Sequence, residues 1–135
     1  MSNGKPDPVC KAFIVCRQVV TDPQSGEAVL VGLPMGHSHH RFPTAAVLGF
    51  FVRLADARGE YEMEVQRQNS SGEVVWRDGP PEPVVMDDPL MNYDLRLNLN
   101  VVFPAPGDYE FAVALNGRDV ARQRFKAEFV PTGVA

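Results

Sequence analysis

All three histidines of the chain fall in one short segment, Gly36-His37-Ser38-His39-His40-Arg41. A His-x-His pair can bring two imidazoles to one ion, and neutral imidazole suits zinc, copper, iron or nickel. A catalytic zinc site takes three protein ligands and keeps a fourth position open. His37, His39 and His40 are therefore the candidate ligands, with zinc or another transition metal as the candidate ion. Two features weigh against a dedicated site. Neighbouring residues on an extended backbone point to opposite sides, and no histidine follows His40. The plainer reading is a solvated loop that binds such metals opportunistically.

The other reactive groups have plain roles. Asp78, Asp87, Asp88 and Asp94 lie in or beside one Pro-rich stretch, but their spacing matches no calcium loop. Cys10 and Cys16, on one strand, are separated by roughly 20 Å, too far for a disulfide. Alternation puts both on the same face as buried thiols. The chain has no G-x-S-x-G, no G-x-x-x-x-G-K-[ST] and no G-x-G-x-x-G, so it assembles no catalytic set. Arg118, Arg122, Arg124 and Lys126 form a basic stripe that reads as charge discouraging edge-to-edge pairing. Trp76, with Asp87, Asp88, Met91 and Tyr93 further along, marks a candidate interaction surface.

The elements that must carry these groups are strands. Twelve Pro and 11 Gly cut the chain into short pieces, as turn-rich β proteins require. Residues 9–20 read as a first strand. Residues 27–33, apolar on both faces, read as a buried central strand. Residues 34–45 read as irregular. Residues 46–56 form another strand, and 60–67 alternate Tyr61, Met63 and Val65 against Glu62, Glu64 and Gln66. Pro80, Pro81, Pro83 and Pro89 make 78–92 a long loop with at most a short edge segment at 83–86. Leu95, Leu97, Leu99, Val101 and Phe103 share one face, with Tyr109, Phe111, Val113 and Leu115 on the next strand. Asn116-Gly117 is the strongest hairpin signal, since both central residues of a type I′ turn need positive φ. The expected fold is all-β: a single-domain antiparallel β-sandwich of seven to eight strands, spanning 9–130 between tails at 1–8 and 131–135.

The blocks AFIVCRQVVTDPQSGEAVLVGL, FVRLADARGEYEMEVQ and FPAPGDYEFAVALNGRDVARQRF resemble a family of small uncharacterised bacterial proteins, classed only as a domain of unknown function. The likeness spans about residues 9–130. It implies an immunoglobulin-like β-sandwich and no established activity, so it carries over no catalytic residues. The segment PMGHSHHRF departs from that family's pattern, which tends to be acidic and apolar there. The resemblance therefore assigns the histidines no role.

Charge narrows the partners. Thirteen Lys and Arg against 17 Asp and Glu leave a formal charge of −4, without the basic excess of a nucleic-acid binder. No apolar run reaches the roughly 18 residues of a membrane span. The opening residues Met1-Ser2-Asn3-Gly4-Lys5-Pro6-Asp7-Pro8 do not read as a secretory signal, and the expected location is cytoplasmic. The leading reading is a non-catalytic binding or protein-interaction module acting through its loops, chiefly 34–45 and 78–92. The alternative is a metal-binding protein or metal-dependent enzyme built on the histidines. A homodimer through an unpaired sheet edge is the third.

Overall fold

The computed structural model describes residues 8–34, 36–68, 71 and 73–131, with the backbone alone at 78–80. Among the described residues there is no helix and there are ten strands. They are β1 (Val9–Cys16), β2 (Gln18–Thr21), β3 (Ala28–Val31), β4 (Gly36–His39), β5 (Thr44–Ala55), β6 (Gly59–Gln68), β7 (Val74–Met86), β8 (Tyr93–Phe103), β9 (Gly107–Leu115) and β10 (Arg118–Phe129). One sheet has the order β1-β5-β8, a second β4-β10-β9-β6-β7, and β2-β3 form a separate ribbon. Every strand pair is antiparallel except β4 with β10, which is parallel.

Both large sheets feed one apolar cluster. Phe13 and Val15 of β1, Leu48, Phe50, Val52 and Leu54 of β5, and Val101 and Phe103 of β8 meet side chains of the second sheet. From there come Tyr61, Met63 and Val65 of β6, Val84 and Met86 of β7, Phe111, Val113 and Leu115 of β9, and Phe125 and Ala127 of β10. The two-residue periodicity of the sequence produces this directly, because every second side chain of a strand faces the same layer. Leu95, Leu97 and Leu99 pack against the cluster but stay partly exposed, since β8 is an edge strand. The 116–117 turn has φ of 50° at Asn116 and 81° at Gly117, as a type I′ hairpin needs.

The ribbon explains several positions that face away from this cluster. Phe51 and Cys16 bury with Val19, and Ala12, Ile14, Ala28 and Leu30 pack around them. The side-chain amide of Asn98 stands in for a neighbouring strand: its Oδ1 accepts from the Val19 N–H at 2.9 Å and its Nδ2 donates to the Val19 carbonyl at 3.0 Å. Gly49 lies beneath the crossing. A Cβ there would sit 2.8 Å from Val19 N and 2.9 Å from Cys16 Sγ, so only glycine lets the ribbon approach.

Five local expectations are corrected. The 9–20 stretch is two strands, broken at Arg17, whose N–H reaches the carbonyls of Val31 and Gly32. A bulge between Cys10 and Ala12 sends the cysteines to opposite faces: Cys10 packs on the main cluster, Cys16 under the ribbon. One inserted residue inverts everything beyond it. Residues 28–31 are no central strand, since Val29 and Val31 are exposed in the ribbon. The irregular segment at 34–45 contains β4, and the long loop at 78–92 contains most of β7. In β7, residues 79–81 bulge opposite Glu64, between the pairs Val65↔Asp78 and Met63↔Glu82. A bulge on an edge strand is where a residue without an N–H is tolerated.

Candidate functional site

The two regions singled out by the sequence lie at opposite edges of the five-stranded sheet. β4 carries the histidines at one edge, and β7 carries Trp76 at the other. Four strand spacings separate them, about 19 Å, so they do not form one surface.

At the β4 edge, alternation turns His37 and His39 inward and leaves Ser38 exposed. β4 presses closely on β10: a Cβ on Gly36 would fall 2.1 Å from the Lys126 carbonyl oxygen. The two imidazole centroids are 5.7 Å apart. His37 meets the Phe125 ring edge-on at 5.3 Å, and His39 meets Phe42 at 5.8 Å. Both Nε2 atoms are buried without a hydrogen-bond partner. His39 Nδ1 lies 3.4 Å from Thr44 Oγ1. Burial, then the neighbouring His39 and Arg17, holds His37 below the ordinary histidine pKa. His40 leaves the pair, its Nδ1 lying 2.9 Å from the Val130 carbonyl oxygen. The structure thus gathers two of the three candidate ligands. Among the described residues no group of three His, Cys, Asp or Glu side chains is placed to hold an ion, short of the usual zinc set.

At the β7 edge the governing residue is one the sequence reading passed over. Arg67 continues the inward face of Tyr61, Met63 and Val65 on β6, and it is only 2% exposed. Its guanidinium carbon sits 5.1 Å from the Trp76 ring centroid, 5.7 Å from Phe103 and 5.9 Å from Tyr109. Its Nη1 donates to the Val102 carbonyl. A buried cation needs such company, because ring faces and a carbonyl replace part of its lost hydration. The signal was present in the sequence: a lone charge at the next even step of an apolar face. Trp76, directly across from Arg67 in the β6–β7 register, covers the guanidinium with one side of its ring and remains 50% exposed.

Val74 and Val75 are exposed beside it, and so is Val85 further along. Arg77, the next residue, pairs with Glu64 at 3.2 Å. Asp87, Asp88 and Tyr93 have structural work beyond the end of β7. The Tyr93 hydroxyl accepts from the Asp87 and Asp88 N–H groups and donates to Asp87 Oδ1 at 2.5 Å. The Asp88 carboxylate accepts from the Leu90 N–H at 2.9 Å. That closed loop holds out Met91 and Leu90, the latter 94% exposed. Ten residues of extended chain, about 33 Å, separate Trp76 from Met86, so Trp76 and the 87–93 loop are distinct surfaces. The basic stripe of β10 is partly neutralised, with Arg122 bridging Glu110 at 3.1 Å and Asp119 at 2.9 Å.

No helix among the described residues is long and apolar enough to cross a membrane. No curated protein matches the chain. The model of one protein family does match, over residues 11–128. The chain accordingly belongs to DUF6941, a family of unknown function.

Proposed function

We propose that this protein is a non-catalytic interaction module that takes an extended segment of a protein partner along the free edge of β7. One observation carries the reading: three consecutive apolar residues, Val74, Val75 and Trp76, stand exposed on the unpaired outer strand of a sheet. An exposed apolar edge is a hazard that proteins usually blunt, and strand addition at such an edge is a recurrent way of binding a protein segment. The setting in this reading is an immunoglobulin-like sandwich in a bacterial, cytoplasmic protein. The shared cluster of the two sheets supports the sandwich, and two unpaired cysteines suit a reducing compartment.

The test is crosslinking in the native cell with wild type, Val75→Lys and, as an off-edge control, Leu33→Ser. A partner retained by the control and lost with Val75→Lys is the expected result. Partners unaffected by Val75→Lys would overturn the reading. A second reading, a metal centre on His37 and His39, starts from their two orphaned buried Nε2 atoms. Untagged protein that retains stoichiometric metal, lost on His39→Ala, is the result that would favour it over the first.

A further inference from the structure

Residues 87–92, which join the outer strand of one sheet to the outer strand of the other, end in a convex apolar tip. We infer that this tip is an anchor: it seats Leu90 and Met91 in an apolar pocket of a partner protein whose rim carries Lys or Arg. The contact is separate from the β7 edge and does not rest on it.

The turn is built by its residue types. Asp88, Pro89, Leu90 and Met91 occupy its four positions, closed by the Met91 N–H on the Asp88 carbonyl at 3.1 Å. Proline presets φ at the second position, and an aspartate at the first hydrogen-bonds two residues on. Asp88 Oδ1 accordingly accepts from the Leu90 N–H at 2.9 Å. The Tyr93 hydroxyl accepts from the Asp87 and Asp88 N–H groups at 2.9 and 3.1 Å. Pro89 has no N–H, so every N–H from Asp87 to Met91 has an acceptor. No donor is left there for strand addition, and a partner meets this loop through its side chains. The loop is already ordered, which spares the entropy a flexible segment loses on binding. Gly, Pro, Asn, Asp and Ser dominate turns. Here two large apolar residues follow the proline, Leu90 94% and Met91 55% exposed. A pocket that takes them out of water gains their full burial, and methionine adapts to an irregular wall.

Charge defines the rim. Asp87 and Asp88 flank the tip and are exposed, and no Lys or Arg lies between Arg77 and Arg96 in the sequence. Asp94 is matched by Arg53 at 2.7 Å. Asp87 and Asp88 form no ion pair with another described residue. Two unmatched carboxylates beside an apolar anchor are complemented by cations around the receiving pocket. The same carboxylates repel the anionic lipids of a membrane surface and the same loop of a second copy.

A photocrosslinking residue at position 92 leaves the tip in place. It is activated in the native cell, and the crosslinked peptide of the captured chain is mapped by mass spectrometry. Companion variants are Leu90→Ser, Leu90→Met, and Asp87→Asn with Asp88→Asn, which keeps the acceptor oxygens and removes the charges. The expected capture is a protein crosslinked beside an apolar pocket bordered by Lys or Arg. Leu90→Ser, with an unchanged dichroism spectrum, should lower the yield about tenfold, and Leu90→Met should retain it. The neutral pair should weaken binding to the purified partner at low salt and change it little at high salt. No capture, a yield that Leu90→Ser leaves unchanged, or a crosslink on an acidic or flat surface overturns the anchor. A crosslink to a second copy also overturns it. So does sedimentation of wild type, but not Leu90→Ser, with vesicles of phosphatidylcholine and phosphatidylglycerol. If Leu90→Ser spares a partner that Val75→Lys loses, the β7-edge reading stands and the anchor falls.

Discussion

At the scale of single residues, the fold depends on side chains that replace backbone or on side chains that are missing. Gly49 exists because the ribbon crosses it. Gly49→Ala should displace the ribbon and cost about 1–3 kcal/mol, as overpacking does, with faster amide exchange at Val19 as the readout. Asn98→Leu should cost a similar amount, since it strips both backbone groups of Val19 of their partners. His37 gives a pH dependence with a defined sign. Its folded pKa lies below the ordinary 6.5, so below that pH the unfolded chain binds the extra proton and stability falls with acidification. Asp94, held low by its Arg53 hydrogen bonds, and Asp22, held low by the Gln24 and Ser25 N–H groups, begin their loss only near 3.8. His37→Phe should remove the slope between pH 6.5 and the acid limb while leaving that limb intact, in denaturant titrations across pH. None of these roles could be read from spacing. Each depends on what lies across a sheet, and the positions adjacent in space are far apart in sequence.

At the scale of elements, periodicity was informative wherever one face of a strand was buried. The β6, β8, β9 and β10 faces follow the alternation of their residues, and Asn116-Gly117 forms the turn its types demand. Phe111→Ala, at the centre of the cluster, should cost about 3–5 kcal/mol, whereas Val47→Ala, exposed on β5, should stay within about 0.5 kcal/mol. Equal denaturation midpoints for the two would contradict the assigned faces. Periodicity failed where the ladder is irregular. Prolines hid β7, because a bulge lets an edge strand keep them. Glycine and histidine hid β4, whose place is fixed by a parallel partner ninety positions away in the chain. The apolar run at Ala28–Val31 gave no face at all, and the ribbon leaves half of it in solvent. The bulge at Cys10–Ala12 shows the same limit: one unforeseen residue reversed the face of a thiol.

At the scale of the whole molecule, the sequence foretold two sheets around one interior but not which edges would be open. Edge and centre are properties of topology, and nothing local to residues 74–77 distinguishes them. The topology gives those residues significance, placing Val74, Val75 and Trp76 on the outside of the last strand. This edge is where the protein meets other chains. Photocrosslinking in the native cell from single positions on each sheet edge is the decisive measurement. A crosslinker placed at residue 74, 75 or 76 should capture another chain, and one placed on β1, β4 or β8 should not. No capture at 74–76, or capture confined to β1, β4 or β8, would contradict it.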